Sequence, residues 1–366
     1  MVRSLLFLFV SVLAVGASAQ SPDTLRLSFV GDIMGHGPQI RAAQVVKDSL
    51  YDFSPNYRYV QPLLERADLA IGNLEVTLMD KPPYTGYPRF RSPEDLARDL
   101  RYAGFDLLVT ANNHSNDGGR SGVLNTIETL DEWGFYHTGT FVSQTMRDAL
   151  YPLIVYKNDF KLIFLNATYG TNGIPTPAPV VVNEIDTAQI KADLELARLL
   201  RPDFIIMVMH WGDEYQRTES KAQRELARRL LHWGADAVIG AHPHVVQPVR
   251  YEYPLDDSTR TAGLVAYSLG NFISNQKKAH TDGGLLLEVE LVRDQTGTRV
   301  GGYGYVPVYR HIRRGEDKRA TYFAVPPAAL LDAAALEDLN FSEADKAKRE
   351  LFYKNTRKHL GPGERQ

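Results

Sequence analysis

Short apolar runs alternate with amphipathic segments along most of the chain. Five of these runs end in polar residues: LRLSFVGD (25–32), ADLAIGNLE (67–75), FDLLVTANNH (105–114), PDFIIMVMH (202–210) and ADAVIGAHPH (235–244). Strands buried on both faces read as continuous Val/Ile/Leu runs, and their alternation with helices indicates parallel pairing with helices on both sides. The pattern therefore predicts an α/β fold built in layers, with mixed sheets flanked by helices.

The amphipathic segments predict helices between these strands. The clearest lies in RSPEDLARDLRYAGF (91–105), where Ser92 is placed to cap the helix, Pro93 fits its first position and Gly104 ends it. Segments 188–200 and 219–232 predict two more helices. Beyond about residue 251 the runs at 263–273, 283–292 and 300–309 predict antiparallel strands that complete the sheets.

The first residues have the features of a secretory signal peptide. Arg3 is followed by an apolar stretch at 5–15 and by the small residues Ala-Ser-Ala at 17–19. The stretch is shorter than the ~20 residues that a spanning helix needs. We therefore expect removal of residues 1–19, no stable membrane span afterwards, and a periplasmic or secreted protein. The remainder predicts one domain at 20–325 and a peripheral helical tail at 326–366.

Composition excludes several classes of function. The net charge of −3 gives no polycationic surface, so nucleic acid is not expected as a partner. The chain has no cysteine, which excludes disulfides, thiolate metal sites and a cysteine nucleophile. No G-x-G-x-x-G motif follows the first strand and no G-x-S-x-G motif occurs, so neither dinucleotide binding nor serine hydrolysis is predicted.

The polar ends of the five strands predict a metal site. In open α/β sheets, ligands bind beyond the carboxyl ends of the strands, so these side chains should meet at one rim. They are Asp32, Asn73, Glu75, Asn112, Asn113, His114, His210, His242 and His244. Taken singly, Asp32 also fits a turn cap and His114 a structural histidine, but the rigid His242-Pro243-His244 segment suits a metal ion. Ligands without sulfur suit manganese, iron or zinc.

The tripeptide His-Trp-Gly occurs twice, at 210–212 and at 232–234. His210 ends an apolar run that points at the predicted rim. His232 instead follows the amphipathic segment RELARRLL and precedes Gly234, a context typical of a helix C-terminus. We therefore predict that His210 is a metal ligand and that His232 complements the end of a helix.

The segments GDIM, GNLE, ANNHSNDGG, HWGDEY, GADAVIGAHPHVVQPV and YSLGNF occur in this order over about residues 25–274. Together they resemble the bacterial capsule-synthesis CapA family, which is associated with poly-γ-glutamate and has the calcineurin-like metallophosphoesterase fold. The resemblance implies one or two divalent ions, with Glu75 as a bridging ligand and His114 as proton donor to the leaving group. The other implied ligands are Asp32, Asn113, His210, His242 and His244. The sequence departs from the wider fold at Met34, where a histidine is expected, and at Glu75, which replaces an aspartate.

Two functions remain open at this point. The first is an exported hydrolase, in which a divalent metal activates water against a phosphoester or a related anionic substrate. The second is a non-catalytic envelope protein that binds or guides an anionic capsule polymer during export. The expected partner is an anionic polymer or a phosphorylated small molecule. Candidate substrate contacts, each of which also fits an ordinary turn or surface position, are Asn73, Arg89, Glu214 and Asn271.

Overall fold

The computed structural model of the protein describes residues 23–47, 49–257, 259, 261–316 and 318–363. The signal peptide predicted at 1–19 lies outside these residues. The strands are β1 (Asp23–Ile33), β2 (Gln44–Val46), β3 (Leu50–Tyr51), β4 (Leu69–Leu74), β5 (Thr77–Met79), β6 (Arg91–Pro93), β7 (Leu107–Val109), β8 (Tyr136–Thr138), β9 (Thr140–Phe141), β10 (Leu153–Lys157), β11 (Phe160–Thr168), β12 (Val181–Val182), β13 (Phe204–His210), β14 (Ala237–Ala241), β15 (Val249–Glu252), β16 (Gly263–Ala266), β17 (Asn271–Ile273), β18 (Gly283–Asp294), β19 (Gly297–Arg314) and β20 (Ala320–Val325).

Helices connect most of the parallel strands and continue the chain after β20. They are α1 (Gly37–Ala43), α2 (Gln61–Leu64), α3 (Asp95–Tyr102), α4 (Gly119–Glu132), α5 (Gln144–Leu150), α6 (Thr187–Leu199), α7 (Lys221–Trp233), α8 (Ala333–Leu339) and α9 (Glu343–Leu360). Within the described ranges, none of them combines the length and the apolar character needed to cross a membrane.

Two mixed sheets form the centre of the molecule. The first has the order β20-β19-β18-β1-β4-β7-β8, with β17 paired to β1, and the second has the order β10-β11-β13-β14-β16-β15. One buried apolar cluster contains Phe29 and Leu287 of the first sheet together with Phe164, Ile206 and Ile239 of the second. The two sheets therefore face each other across a shared core.

Helices cover the outer face of each sheet. Because successive side chains of a strand point to opposite faces, Val30 leaves the inner layer and packs in a second cluster with Leu96 and Leu100 of α3. On the other sheet Met207 packs with Leu194 of α6. The layered α/β fold predicted from the sequence is confirmed, as are the five strands with polar ends.

The helix predictions are confirmed in position, with one error at a helix start. The segments predicted at 188–200 and 219–232 are α6 and α7. The proposed cap at Ser92 is wrong, because Arg91–Pro93 pairs in parallel with Thr77–Met79 and the cap position of α3 falls on Glu94. Gly104 follows α3 with a φ of 101°, as expected for the residue that ends the helix.

The antiparallel prediction for the region after residue 251 is correct for β18 and β19 but wrong for the segment at 263–273. In that segment β16 runs parallel to β14, and β17 runs parallel to β1. The preceding strand β15 forms an antiparallel hairpin with β16, which returns the chain in the direction of β14. Asn271, the first residue of β17, therefore lies beside Asp32 at the same rim.

The chain after β20 packs against the first sheet. Phe352 and Tyr353 of α9 are buried with Tyr309 of β19, and the Tyr353 hydroxyl donates to the Val325 carbonyl at 2.9 Å. Arg217, in the loop after β13, donates from Nη2 to the Asn355 carbonyl of α9 at 3.1 Å. The division at residue 325 into a domain and a tail stays a prediction.

Candidate metal centre

The register of the sheets brings the polar strand ends to one rim. In the first sheet Asp32 lies beside Asn73 of β4 and Asn271 of β17. In the second sheet His210 lies level with Ala241, the residue before His242. The His242 amide donates to Asp32 Oδ1 at 3.4 Å and links the two sheets at this rim. The predicted ligands Asp32, Glu75, Asn113, His210, His242 and His244 are all at most 3% exposed.

Glu75 lies at the centre of the cluster. It belongs to two groups whose candidate ligand atoms lie within 4.8 Å of one another, one with Asp32 and His210 and one with His242 and His244. Its Oε1 is 3.6 Å from His210 Nε2 and 3.8 Å from His244 Nε2. In the part of the chain that the structure describes, no donor reaches either of its buried carboxylate oxygens. Burial, and then the charge of Asp32, raise the pKa of Glu75 well above its usual range.

This arrangement fits a divalent cation. A buried carboxylate without donors is strongly destabilising unless a counter-charge is present. His242 Nδ1 is also buried without a hydrogen-bond partner. A cation would give both groups a partner, and the nitrogen and oxygen donors match manganese, iron or zinc.

Burial keeps two of the histidines in the form that binds metals. Burial, and to a smaller extent neighbouring His244, lower the pKa of His242 to about 3. Burial also holds the pKa of His210 well below its usual value, with a smaller effect from His242. At neutral pH both imidazoles are therefore uncharged, as ligation requires.

Two asparagines contact the predicted ligands. Asn73 Nδ2 donates to Asp32 Oδ1 at 2.8 Å and lies 3.3 Å from His210 Nδ1. Asn271 Oδ1 lies 3.1 Å from His244 Nδ1, which is also 3.0 Å from Asp32 Oδ2. Partners of this kind fix the ring orientation of metal-binding histidines. Both asparagines were predicted as substrate contacts, and that role stays a prediction.

Asn113 and His114 extend from the loop after β7 into the cluster. Asn113 Oδ1 is 2.9 Å from His210 Nε2, so the two predicted ligands lie side by side. His114 Nδ1 donates to Asp117 Oδ2 at 2.7 Å, and the same oxygen accepts the Phe90 amide at 2.6 Å. His114 Nε2 faces Glu75 Oε1 at 4.0 Å. The ring is therefore held with one nitrogen on Asp117 and the other toward the cluster.

The backbone at the rim is shaped for close approach. His242 and His244 have φ angles of 98° and 59°, which are unfavourable for residues with a side chain and concentrate at functional sites. At Gly31 an added Cβ would lie 1.9 Å from the Gly270 carbonyl oxygen. The absence of a side chain there lets the Asp32 amide donate to that carbonyl at 2.9 Å.

The remaining predicted residues lie at the edge of the buried cluster or outside it. Glu214, whose side chain is 44% exposed, has Oε1 4.0 Å from His244 Nε2. Arg89 is exposed on the segment between β5 and β6. Sequence reasoning missed Asp117 and Tyr169, whose ring centroid lies 4.5 Å from that of His242. The i, i+3 spacing of His114 and Asp117 and the position of Tyr169 directly after β11 were the available signals.

The surroundings of Met34, one of the two departures from the wider fold, are apolar. Met34 is 2% exposed and packs in an apolar cluster with Val76 and Phe90. His36 Nδ1 accepts the Asn275 amide at 3.2 Å, and burial lowers the pKa of His36 to about 4. His36 belongs to neither group of candidate ligand atoms among the described residues.

The fold and the buried cluster define a layered α/β protein with a carboxylate and histidine pocket suited to divalent metal. The chain belongs to the bacterial capsule synthesis protein family PGA_cap, which it matches over residues 26–276. It is 29% identical to the capsule biosynthesis protein CapA of Bacillus anthracis, over 82% of this chain and 70% of that protein. It is 27% identical to the PGA biosynthesis protein CapA of Bacillus subtilis strain 168, over 76% of this chain and 70% of that protein.

Solved structures match the chain at lower sequence identity. The calcineurin-like phosphoesterase YfkN from Bacillus subtilis matches at 13% identity and a TM-score of 0.48, over 92% of this chain and 98% of that one. A 5'-nucleotidase from Candida albicans SC5314 matches at 11% identity and a TM-score of 0.42, over 91% of this chain and 58% of that one. The predicted membership in the CapA family is confirmed by the family match.

Proposed function

We propose that this chain is an exported, divalent-metal-dependent hydrolase of a phosphoester or a related anionic substrate, acting in capsule or polyanion biosynthesis. The observation that carries the proposal is Glu75, a buried carboxylate that is shared by two groups of candidate ligands and that no donor of the described residues reaches. The names of the two CapA relatives support the link to capsule and polyanion synthesis.

In this proposal the ligands hold one or two ions. Glu75, which belongs to both groups of candidate ligand atoms, would hold the ions together with Asp32, Asn113, His210, His242 and His244. When bound, the ions would polarise the substrate and lower the pKa of water toward ~7. Because two divalent ions outweigh the charges of Asp32 and Glu75, the pocket attracts an anionic group. Asn73 and Asn271 keep the Asp32 carboxylate and the His244 ring in place.

His114 is the proton donor in this proposal. Its Nδ1 proton is held by Asp117, so its Nε2 is the nitrogen that faces the cluster. From there it protonates the oxygen of the departing group, a role that typically accelerates a reaction by about 10²- to 10⁴-fold. Asp117 is a positioning residue, since it acts through the imidazole ring.

The test is hydrolysis by purified protein loaded with manganese, using an aryl phosphate and poly-γ-glutamate as substrates. We expect turnover of at least one, loss of metal and activity in Glu75→Gln, and a rate loss of about 10²- to 10⁴-fold with metal retained in His114→Ala. Glu65→Gln serves as the matched control, because Glu65 is exposed and bonds only within α2 and its cap. No turnover of either substrate by metal-loaded protein contradicts the proposal.

The buried Met34, in place of the histidine expected in the wider fold, favours a second candidate function. With one weak ion site, the protein would bind and guide an anionic polymer without cutting it. This candidate expects polymer binding that salt weakens, with no products released in the same assay.

The proposal includes export. Residues 1–19 are removed, residues 20–325 form the functional domain, residues 326–366 form a helical tail, and the protein lies in the periplasm or outside the cell. N-terminal sequencing of protein from the extracellular or periplasmic fraction should begin at Gln20. An intact Met1 on the bulk of the protein contradicts this part of the proposal.

A further inference from the structure

A groove of about 730 Å³ lies next to the candidate metal centre. On the side of the metal centre its wall contains His36 and Asp117, the partner of His114. The rest of the wall includes Arg41, Arg89 and Arg91. We call this region the arginine groove.

A short hydrogen-bonded segment holds two of these arginines in place. The Thr85 amide donates to the Arg91 carbonyl at 2.9 Å, and the Arg91 amide donates to the Thr85 carbonyl at 2.8 Å. The Thr85 hydroxyl also donates to the Arg89 carbonyl at 2.6 Å. At Gly86 an added Cβ would lie 2.2 Å from the Gly37 amide nitrogen, so this segment packs directly on the start of α1. The arginines are therefore presented by a fixed backbone.

The arginines of the groove differ in their ion pairs from two arginines of α3. Ion pairs within 4 Å connect Arg98 and Arg101 of α3 to carboxylates, whereas among the described residues none is found for Arg41, Arg89 or Arg91. Arg91 Nε is in addition buried without a hydrogen-bond partner. A buried donor without an acceptor is destabilising, which makes it a ready site for an anion. Asp117, the carboxylate in the groove wall, accepts from His114 and from the Phe90 amide through Oδ2, whereas its Oδ1 is buried without a hydrogen-bond partner among the described residues.

One aromatic ring separates this groove from the proposed proton donor. The Phe90 ring centroid lies 4.5 Å from that of His114, 4.9 Å from that of His36 and 6.5 Å from that of Tyr87. His36 and Tyr87 both line the groove. The Phe90 ring therefore contacts both the proposed proton donor and two residues of the groove wall.

We propose that the arginine groove binds a second anionic group of the substrate, either a carboxylate or a phosphate, next to the group held at the metal centre. Guanidinium groups bind both kinds of anion through paired hydrogen bonds. The preferred substrate is then an oligomer with repeated anionic groups, and an isolated phosphomonoester is a poor one. This inference rests on the proposed function for the identity of the reacting group, but binding in the groove does not require turnover.

The experiment measures binding directly, by fluorescence anisotropy with metal-loaded protein at low salt. The probes are a labelled oligoglutamate, a labelled oligophosphate, and oligoglutamine of the same length as the uncharged match. We expect Arg89→Gln and Arg91→Gln each to raise the Kd of an anionic probe about tenfold, the effect of losing one charge-assisted contact. Arg91→Lys, which keeps the charge but loses the planar fork, should lie between wild type and Arg91→Gln.

Arg229→Gln is the matched control, because Arg229 is exposed on α7 and does not line the groove. It should leave the Kd within about twofold, as expected for an isolated surface charge. Groove variants that bind like this control overturn the inference, and so does equal binding of oligoglutamine. The two anionic probes decide between carboxylate and phosphate. Arginine-dependent binding without any hydrolysis upholds the groove and contradicts the proposed hydrolase, so the two proposals fail separately.

Discussion

The two His-Trp-Gly segments have the same three residues in different surroundings. His210 is the last residue of β13, is 1% exposed and lies against Glu75 and Asn113. His232 is exposed in the last turn of α7. The glycines, in contrast, are alike, since Gly212 and Gly234 have φ angles of 91° and 120°. Both copies of the tripeptide therefore need a glycine that adopts a positive φ. The role of the imidazole depends on whether the histidine ends a strand or lies in the last turn of a helix.

Replacing the two histidines should give the largest difference between the segments. We expect His210→Ala to weaken metal binding by more than about 100-fold, because removing a ligand exceeds the 10- to 100-fold effect of removing a ligand's partner. His232→Ala should keep its metal. Elemental analysis of both purified variants beside wild type checks this. Equal metal content in the two variants would refute the assignment of His210.

The next largest effect is expected at Asp117, which accepts a hydrogen bond from His114. Asp117→Asn keeps the size of the side chain but weakens its hold on His114 Nδ1, so we expect hydrolysis to slow by about 10- to 100-fold. Metal content should not change, and the pH profile of the rate should shift relative to wild type. An unchanged rate and pH profile would show that Asp117 has only a structural role.

Replacing the two glycines tests whether both copies of the tripeptide need a positive φ at this position. Gly212→Ala and Gly234→Ala should each lower the free energy of unfolding by about 1–2 kcal/mol, because a side chain is strained at these φ angles. Gly212→Ala should cost more, since its Cβ would lie 2.6 Å from buried Gln223, whereas at Gly234 it meets the flexible Arg198 side chain. Urea unfolding of the metal-free proteins measures both values. A change at only one glycine would contradict a common backbone role.

The smallest effect is expected for the stability of His232→Ala. A histidine in the last turn of a helix interacts with the negative end of the helix dipole, worth about 0.3–1 kcal/mol. Urea unfolding at low and high salt measures this loss, which salt should reduce. A loss above about 2 kcal/mol would show that His232 does more than complement the helix end.

The sequence predicted the site through its strand ends. Continuous apolar runs identified β1, β4, β7, β13 and β14, and the rule for parallel sheets placed their polar ends at one rim. The errors arose where long-range pairing overrides local signals. Ser92 has the chemistry of a helix cap, but Arg91–Pro93 pairs with β5 and extends the backbone there. The direction of β16 depends on its hairpin with β15, which no local pattern encodes.

Some residues at the site could not be predicted from the sequence for a related reason. Asp117 and Tyr169 act on His114 and His242 through contacts that the fold creates. The lack of ion pairs at Arg89 and Arg91 depends on which acids lie nearby in space, and the sequence does not state this. The meeting of polar strand ends is therefore predictable, whereas the residues that contact these ends need the structure.

The hydrogen bond from Arg217 to the Asn355 carbonyl joins the loop that carries Glu214 to the last helix of the chain. The family match ends at residue 276, well before that helix. One edge of the candidate metal centre is thus connected to a segment outside the range of the family match. In a relative with a different C-terminal segment, other contacts would support this loop. Exchanging these segments should therefore change the pocket entrance and leave the predicted ligands in place.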